Sequence, residues 1–237
     1  MRLSAPIYIL KQQAKALARS ERIPLHLALD RIANREGFRV WSHLAARCRE
    51  DDPSSVLFTQ LNPGSLVLLA GRPGQGKTLL GIGLIIEALS RGQRAAFFTL
   101  ELTVADVARR LRSFDREWDE FGDELVVDAS DRIDAGYIVS QLTSAPPNTL
   151  VVIDYLQLLD QRRESPALAE QVAILKRFAE DRRLIIVCLS QVDRHYDLAG
   201  KPYPDLSDVR MPNPLDLTLF DKACFLNQGR MQVASVG

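Results

Sequence analysis

GRPGQGKT, Gly71 to Thr78, is the stretch that decides the fold of this chain. It matches the pattern G-x-x-x-x-G-K-[ST], and apolar runs typical of a strand and a helix flank it at Leu66–Ala70 and Leu79–Leu89. Glycines let the backbone approach a phosphate closely, and the following helix offers it free N–H groups and a positive dipole end. The stretch therefore predicts a loop that binds a nucleoside triphosphate. The flanking runs disfavour the alternative, a glycine-rich turn with an incidental lysine.

The chemistry of the loop predicts ATP and Mg²⁺ as its ligands. Lys77 is expected to place a positive charge at the β- and γ-phosphates, and the Thr78 hydroxyl is expected to ligate Mg²⁺. The predicted nucleotide-binding residues are Gly71, Arg72, Pro73, Gly74, Gln75, Gly76, Lys77 and Thr78.

Strand-like and helix-like segments alternate after this loop, which indicates an α/β fold with a mostly parallel central sheet flanked by helices. The segment LVVID, Leu150–Asp154, is apolar on both faces, as expected of a central parallel strand. The last predicted strand spans Leu219–Leu226. We expect a core at residues 61–237, a polar linker at 51–60 and a small helical appendage at 1–50.

Polar residues stand at or just beyond the ends of the predicted strands, where parallel α/β sheets bind ligands. Asp154 is the expected carboxylate on the Mg²⁺ side, with a helix-capping aspartate as the alternative. Glu101 is expected to deprotonate the attacking water, with a helix N-terminal acid as the alternative. Gln191 is expected to contact the γ-phosphate or the water and to report its loss to the long loop that follows, unless it only begins that loop. Glu101, Lys77 and Gln191 form the predicted catalytic set.

Four stretches, GRPGQGKT, FFTLE, LVVIDYLQLL and LSQVDR, are followed by a proline-rich loop and LSDVR. In this order they resemble the motifs of the DnaB-type replicative helicase motor, a RecA-like P-loop ATPase, from about Leu61 to Arg230. The resemblance implies the roles given above for Lys77, Thr78, Glu101, Asp154 and Gln191. It also implies a homo-oligomer with ATP between subunits and DNA, single-stranded DNA in particular, at the centre.

The chain departs from that family in three places. A helical stretch of some fifty residues with a basic balance stands where the family has a primase-interacting domain, and Met211–Pro214 reads MPNP where the family has a polar DNA-contacting stretch. The sequence has no clear Lys or Arg finger for a neighbour's ATP, since Arg230 is the only late candidate, so hydrolysis is expected to be slow. Six residues are predicted to contact the DNA backbone, with solvated surface charge as the alternative for each: Arg109, Arg110, Arg112, Arg194, Lys201 and Arg210.

Composition limits the remaining possibilities. The formal net charge is 0, but the first fifty residues hold ten basic and four acidic residues. These residues read as short helices, either a helix-turn-helix-like DNA-binding unit or, the favoured interpretation, an appendage packed on the core or a neighbour. Three scattered cysteines argue against a disulfide framework or a zinc site, and no membrane segment is predicted, so a cytoplasmic protein is expected. A DNA-dependent ATPase is the favoured function, and an ATP-dependent switch acting on a protein is the alternative.

Overall fold

The computed structural model describes residues 4, 7–50, 52–114, 116–159, 165–198, 200–211 and 213–236. Its helices are α1 (Ile7–Glu21), α2 (Leu25–Arg35), α3 (Trp41–Glu50), α4 (Pro53–Phe58), α5 (Lys77–Ser90), α6 (Val104–Ser113), α7 (Ala135–Gln141) and α8 (Leu168–Arg182). Its strands are β1 (Leu66–Gly71), β2 (Ala95–Thr99), β3 (Leu125–Asp128), β4 (Leu150–Asp154), β5 (Ile185–Gln191), β6 (Lys222–Asn227) and β7 (Arg230–Ser235). None of the described helices is both long and apolar enough to traverse a lipid bilayer.

The seven strands form one sheet in the order β3-β2-β4-β5-β1-β6-β7. Every neighbouring pair is parallel except β6 and β7, which are antiparallel. The predicted α/β class with a mostly parallel sheet is therefore confirmed. Its central strands are buried on both faces, because helices cover both sides.

Alternate residues of β1 enter two separate apolar cores, as the period of two in a strand requires. Leu66 and Leu68 pack with residues of α7 and α8, whereas Val67 and Leu69 pack with residues of α4, α5 and α6. A third core belongs to α1, α2 and α3 alone. Because β1, β2, β4 and β5 are parallel, their carboxyl ends lie at the same end of the sheet.

Two segments differ from expectation. Residues 51–60, predicted as a linker, contain α4, whose Leu57 and Phe58 are buried against the core, while Asp52 accepts a hydrogen bond from the Ser54 amide at 2.8 Å as the N-cap. The strand predicted at Leu219–Leu226 begins only at Lys222, and β7 follows it. Strand β7 is an edge strand with alternating exposure, so its sequence carries only a weak apolar signal. Asp51 and Pro212 lie outside the described residues.

Candidate functional site

The Gly71–Thr78 loop joins the end of β1 to the start of α5, as predicted. Gly74 and Gly76 have φ angles of 79° and 88°, a left-handed conformation that glycine adopts without strain. A Cβ atom built on either residue would meet no heavy atom within 4 Å, so the space beside the loop is open. At the base of the loop, a Cβ on Gly71 would lie 3.2 Å from Leu226, which shows how closely β6 packs there. The loop therefore presents an open, strain-free backbone of the kind that fits phosphate oxygens.

The Lys77 side chain folds back onto the first residues of this loop. Its Nζ donates hydrogen bonds to the carbonyl oxygens of Gly71 at 2.9 Å and Arg72 at 3.2 Å. Burial lowers the pKa of Lys77, while the nearby carboxylates of Asp154 and Glu101 act in the opposite direction. An ammonium held here by two neutral carbonyls is available to an incoming phosphate, because a charged acceptor binds it more strongly.

Thr78 and Asp154 meet across the end of the sheet. The Thr78 hydroxyl donates to Asp154 Oδ2 at 2.9 Å, and Asp154 is only 2% exposed. Burial is the main cause that raises the pKa of Asp154 to about 6, while the hydrogen bond from Thr78 opposes the shift. A hydroxyl and a carboxylate side by side form the hard oxygen pair that Mg²⁺ accepts together with phosphate oxygens and water. Among the described residues no cluster of three His, Cys, Asp or Glu could hold a metal ion. The role of Thr78 and Asp154 as Mg²⁺ ligands stays a prediction.

Glu101 stands two residues beyond β2 in a turn fixed by hydrogen bonds. The backbone amides of Glu101 and Leu102 donate to Thr99 Oγ1 at 3.2 and 3.0 Å, and the Leu100 amide donates to the Asp154 carbonyl at 3.0 Å. Thr99 pairs with Asp154 in the register of β2 and β4, so the exposed Glu101, two residues further on, lies at the same end of the sheet as Asp154. Its charge acts to raise the pKa of both Lys77 and Asp154. The structure thus brings Glu101, Lys77, Thr78 and Asp154 together at one edge of the sheet.

Gln191 ends β5 directly beside the phosphate loop. It pairs with Gly71 in the parallel register of β1 and β5, and the next amide, that of Val192, donates to the Gly71 carbonyl at 3.1 Å. Its side-chain oxygen accepts a 3.4 Å hydrogen bond from Arg210. Gln191 therefore connects the phosphate loop to the long loop after β5.

Gln157 is a residue of this site that sequence reasoning missed. It is 7% exposed, and its Nε2 donates at 2.7 Å both to the Ser190 hydroxyl and to the Arg210 carbonyl. Its Oε1 accepts from the Gln191 amide at 3.4 Å. The available signal was one amide side chain inside an apolar run, Leu156–Leu159, where a buried polar group needs partners.

The loop from Val192 to Met211 is ordered by its own backbone hydrogen bonds. The Arg210 amide donates to the Gln191 carbonyl and the Asp193 amide to the Asp208 carbonyl, both at 2.8 Å. Arg72 of the phosphate loop pairs with Asp197 of this loop, with 2.9 Å between Nη2 and Oδ2. The long loop is therefore attached to the phosphate loop at a second point, which the sequence did not reveal.

The six predicted DNA contacts are divided between two parts of the chain. Three lie on α6, and Arg194, Lys201 and Arg210 lie in or at the end of the loop after β5. Arg110 acts to lower the pKa of Asp154, and its guanidinium donates to the Asp106 carbonyl at 3.4 Å. Lys201 bonds to Asp205 and Asp208 of its own loop, at 2.8 and 3.1 Å. The DNA-contacting role of these residues stays a prediction.

The sequence between residues 55 and 202 matches the model of the KaiC ATPase family. Replicative DNA helicase DnaB of Helicobacter pylori strain J99 is 26% identical over 206 residues, which cover 72% of this chain and 42% of the helicase. A probable plasmid replicative DNA helicase of Chlamydia trachomatis is 29% identical over 180 residues, which cover 63% of this chain and 40% of that protein. The chain thus spans about two fifths of the length of these curated relatives.

Two solved structures share the fold. One, an ATPase domain, superposes with a TM-score of 0.60 at 21% identity, covering 79% of this chain and 81% of that domain. The other, a DnaB-like replicative helicase described with its primase interactions, superposes with a TM-score of 0.61 at 17% identity, covering 97% of this chain and 72% of the helicase. The predicted RecA-like architecture is confirmed by these matches together with the sheet.

Proposed function

The chain belongs to the KaiC ATPase family, and we propose that it couples ATP hydrolysis to work on DNA in the manner of a DnaB-like helicase motor. The observation that carries the proposal is the hydrogen-bonded pair Thr78–Asp154, 2.9 Å apart, with Lys77 and Glu101 beside it. One edge of the sheet thereby collects a phosphate-binding cation, a pair suited to Mg²⁺ and an exposed carboxylate. This is the set of groups that phosphoryl transfer to water needs.

Each residue has a distinct part in this proposal. Lys77 binds the β- and γ-phosphates, while Thr78 and the ionised Asp154 hold Mg²⁺, directly and through water. Mg²⁺, when bound, neutralises the charge on the phosphate oxygens. Glu101 accepts the proton of the attacking water, a task that suits a carboxylate exposed beside Lys77. Gln191 contacts the γ-phosphate and passes its loss to the loop that begins at Val192.

DNA and self-association enter the proposal through the relatives. Those proteins are replicative helicases by name, and this chain is 26% identical to one over 206 residues and 29% identical to the other over 180 residues. We propose single-stranded DNA as the partner, cytoplasmic action, and assembly of several copies in which a neighbour supplies the missing cation. Without that cation, turnover by a single copy should be slower by about 10³–10⁵-fold.

A second function is an ATP-driven switch that acts on a protein partner. The observation that favours it is the charge of the loop after β5, which holds four aspartates against three basic residues between Val192 and Met211. Lys201 in this loop is already bonded to Asp205 and Asp208. An acidic, internally bonded loop is poorly suited to a phosphate backbone, but it can change position with the nucleotide state.

The test is steady-state ATP turnover of the purified chain with and without single-stranded DNA, at low and at moderate salt. In Glu101→Gln, turnover should fall by about 10²–10⁴-fold while ATP binding persists. The control is Glu124→Gln. Glu124 is exposed and directly precedes β3, so it lies at the amino ends of the strands, away from Glu101, and the change should leave turnover unchanged. Unchanged turnover in Glu101→Gln would remove Glu101 from the mechanism.

DNA dependence separates the two functions. Stimulation by DNA that fades as salt rises supports the helicase-like motor, because binding to phosphates releases counterions. Turnover that responds to neither DNA nor salt supports the protein-directed switch.

A further inference from the structure

Helices α1, α2 and α3 form a unit with its own apolar core. The buried residues are Leu10, Ala14, Ala28, Ile32, Ala33 and Leu44, and none of them belongs to either core of the sheet. This unit lies within residues 1–50, which hold ten basic and four acidic residues. The other residues of the chain therefore hold 20 basic and 26 acidic residues. Positive charge is concentrated in one small helical unit.

The carboxylates of this unit are used to hold it together. Asp30 accepts a hydrogen bond from the Trp41 amide at 2.8 Å, which fixes the start of α3 against α2. Glu36 accepts from the Ser4 amide at 2.8 Å, and Glu21 forms an ion pair with Arg31. These three acidic side chains are therefore committed to internal contacts.

Four arginines of the unit are exposed and have no ion-pair partner among the described residues: Arg19, Arg22, Arg35 and Arg39. A guanidinium in this state presents five N–H donors to solvent in a planar fork that matches the oxygens of a phosphate. It can bind a phosphate without first breaking an internal ion pair.

Three of the six predicted DNA contacts on the ATPase core are each paired with a carboxylate. Arg109 pairs with Asp106 at 3.0 Å, and Arg112 pairs with Glu117 at 3.2 Å. Lys201 pairs with Asp205 at 2.8 Å. Each of these cations shares its charge with a carboxylate, so its attraction for a second anion is reduced. Arg110, Arg194 and Arg210, the other three predicted contacts, form no ion pair among the described residues; Arg110 bonds to the Asp106 carbonyl and Arg210 to the Gln191 side chain, while Arg194 is exposed.

We infer that the unit formed by α1, α2 and α3 is the main DNA-binding surface of this chain, and that Arg19, Arg22, Arg35 and Arg39 bind the phosphate backbone of single-stranded DNA. The inference rests on the proposed action on DNA and moves its principal contact from the ATPase core to the N-terminal unit. Backbone contacts of this kind carry no base sequence, so the binding is independent of sequence and sensitive to salt. The excess of acidic residues elsewhere in the chain repels the same backbone and directs it to this unit.

The experiment compares two variants of the full chain, each with four neutralised cations. The first is Arg19→Gln/Arg22→Gln/Arg35→Gln/Arg39→Gln. The matched variant, on the ATPase core, is Arg109→Gln/Arg112→Gln/Arg194→Gln/Lys201→Gln. Fluorescence anisotropy with a labelled oligothymidine gives Kd for each protein over a range of salt concentrations, and circular dichroism confirms that both remain folded.

The N-terminal variant should lose about fivefold in affinity per lost contact at 0.1 M salt, and its slope of log K against log salt should fall by about 0.7 per contact. The core variant should stay within about threefold of the wild type, because most of its cations are already paired. Equal affinity and slope in the N-terminal variant and the wild type would overturn the inference, as would a larger loss in the core variant. Absence of DNA binding by the wild type would also overturn it. ATP turnover without DNA, measured on the same samples, shows separately whether the proposed ATPase activity holds.

Discussion

Asp154 combines a carboxylate with almost complete burial. Desolvation is the main cause that raises its pKa to about 6, the charge of Glu101 adds to it, and the Thr78 hydroxyl, Lys77 and Arg110 act in the opposite direction. The ordinary value is 3.8, so the folded chain binds the proton more tightly than the unfolded chain does. The free energy of unfolding therefore decreases as pH rises from about 4 to 6, by about 3 kcal/mol at most. The ionised carboxylate thus destabilises the nucleotide-free fold at neutral pH.

Asp154→Asn should therefore stabilise the protein while abolishing hydrolysis. Without Mg²⁺ and nucleotide at pH 7.5, we expect urea unfolding to show a gain of about 1–3 kcal/mol, because the buried charge is gone. At pH 4 the gain should vanish, since the wild-type carboxyl is then protonated as well. Asp123→Asn, at an exposed position, is the control and should change neither the free energy of unfolding nor ATP hydrolysis. A variant less stable than the wild type at pH 7.5 would contradict the assigned charge.

Gln157 is expected to hold Gln191 and Arg210 in place. Gln157→Leu removes the donors to the Ser190 hydroxyl and the Arg210 carbonyl, so kcat for ATP should fall about tenfold while KM stays within about twofold. The unfolding free energy should fall by about 1–3 kcal/mol.

The matched control for this prediction is Gln171→Leu. Gln171 is also buried, and it bonds to the Leu159 carbonyl at 2.9 Å and to the Ala135 amide at 2.9 Å, away from Gln191. It should show the same loss of stability with no change in kcat. Equal kcat in both variants would mean that Gln157 serves stability alone.

At the scale of elements, the contact of α4 with α5 depends on a glycine. A Cβ on Gly83 would lie 2.2 Å from the Ser54 hydroxyl oxygen and 2.9 Å from its Cβ. Neither distance is sterically possible, so the two helices can approach this closely only because residue 83 has no side chain. The glycine thereby fixes α4 on the core, although the sequence suggests a linker there.

Gly83→Ala should therefore destabilise the protein by about 1–3 kcal/mol, because α4 must shift. Gly136→Ala is the control, since its Cβ would meet only Asp134 Oδ1 at 3.4 Å; its expected effect is a gain of up to about 1 kcal/mol from helix propensity. Adding Ser54→Gly should remove most of the extra penalty of Gly83→Ala but not alter Gly136→Ala, a coupling that urea unfolding measures. Additive effects at residues 54 and 83 would contradict this packing.

Much of the fold could be predicted from the sequence because its central strands are apolar throughout. LVVID became β4 with the predicted bounds, and the helix after the phosphate loop became α5. Helix α4 was missed because its polar and proline residues form a capped first turn, which resembles a turn. Strand β7 was missed because four of its six residues are exposed.

The candidate site could be predicted where residues stand at strand ends, since parallel topology then brings them together. Lys77, Glu101 and Asp154 were found in this way. The contacts of Gln157 with Arg210 and of Arg72 with Asp197 join residues 53 and 125 positions apart, and no local pattern encodes them. These contacts are visible only in the folded structure of the loop after β5.

At the scale of the whole molecule, the three cores differ in strength. The two cores of the sheet bury Phe, Leu, Ile and Val from many elements, whereas the core of α1, α2 and α3 has, among the side chains that the structure describes, six buried residues, of which Ala14, Ala28 and Ala33 are alanines. Little apolar area stabilises that unit, and units this small are marginal on their own. It should therefore open more readily than the sheet, and unfolding need not be a single transition.

Hydrogen exchange tests this division. Amides of α1, α2 and α3 should exchange through openings of lower free energy than those of β1, β4 and β5, because fewer apolar groups must be exposed. Mg²⁺ and ATP should slow exchange in the Gly71–Thr78 loop and at the start of α5, whereas single-stranded DNA should slow it mainly in α1 and α2. Each ligand stabilises the unit it binds, so the two patterns should be distinct. Protection of the N-terminal helices equal to that of β4 would show a single cooperative unit. Slowing by DNA confined to the loop after β5 would return the DNA contact to the ATPase core.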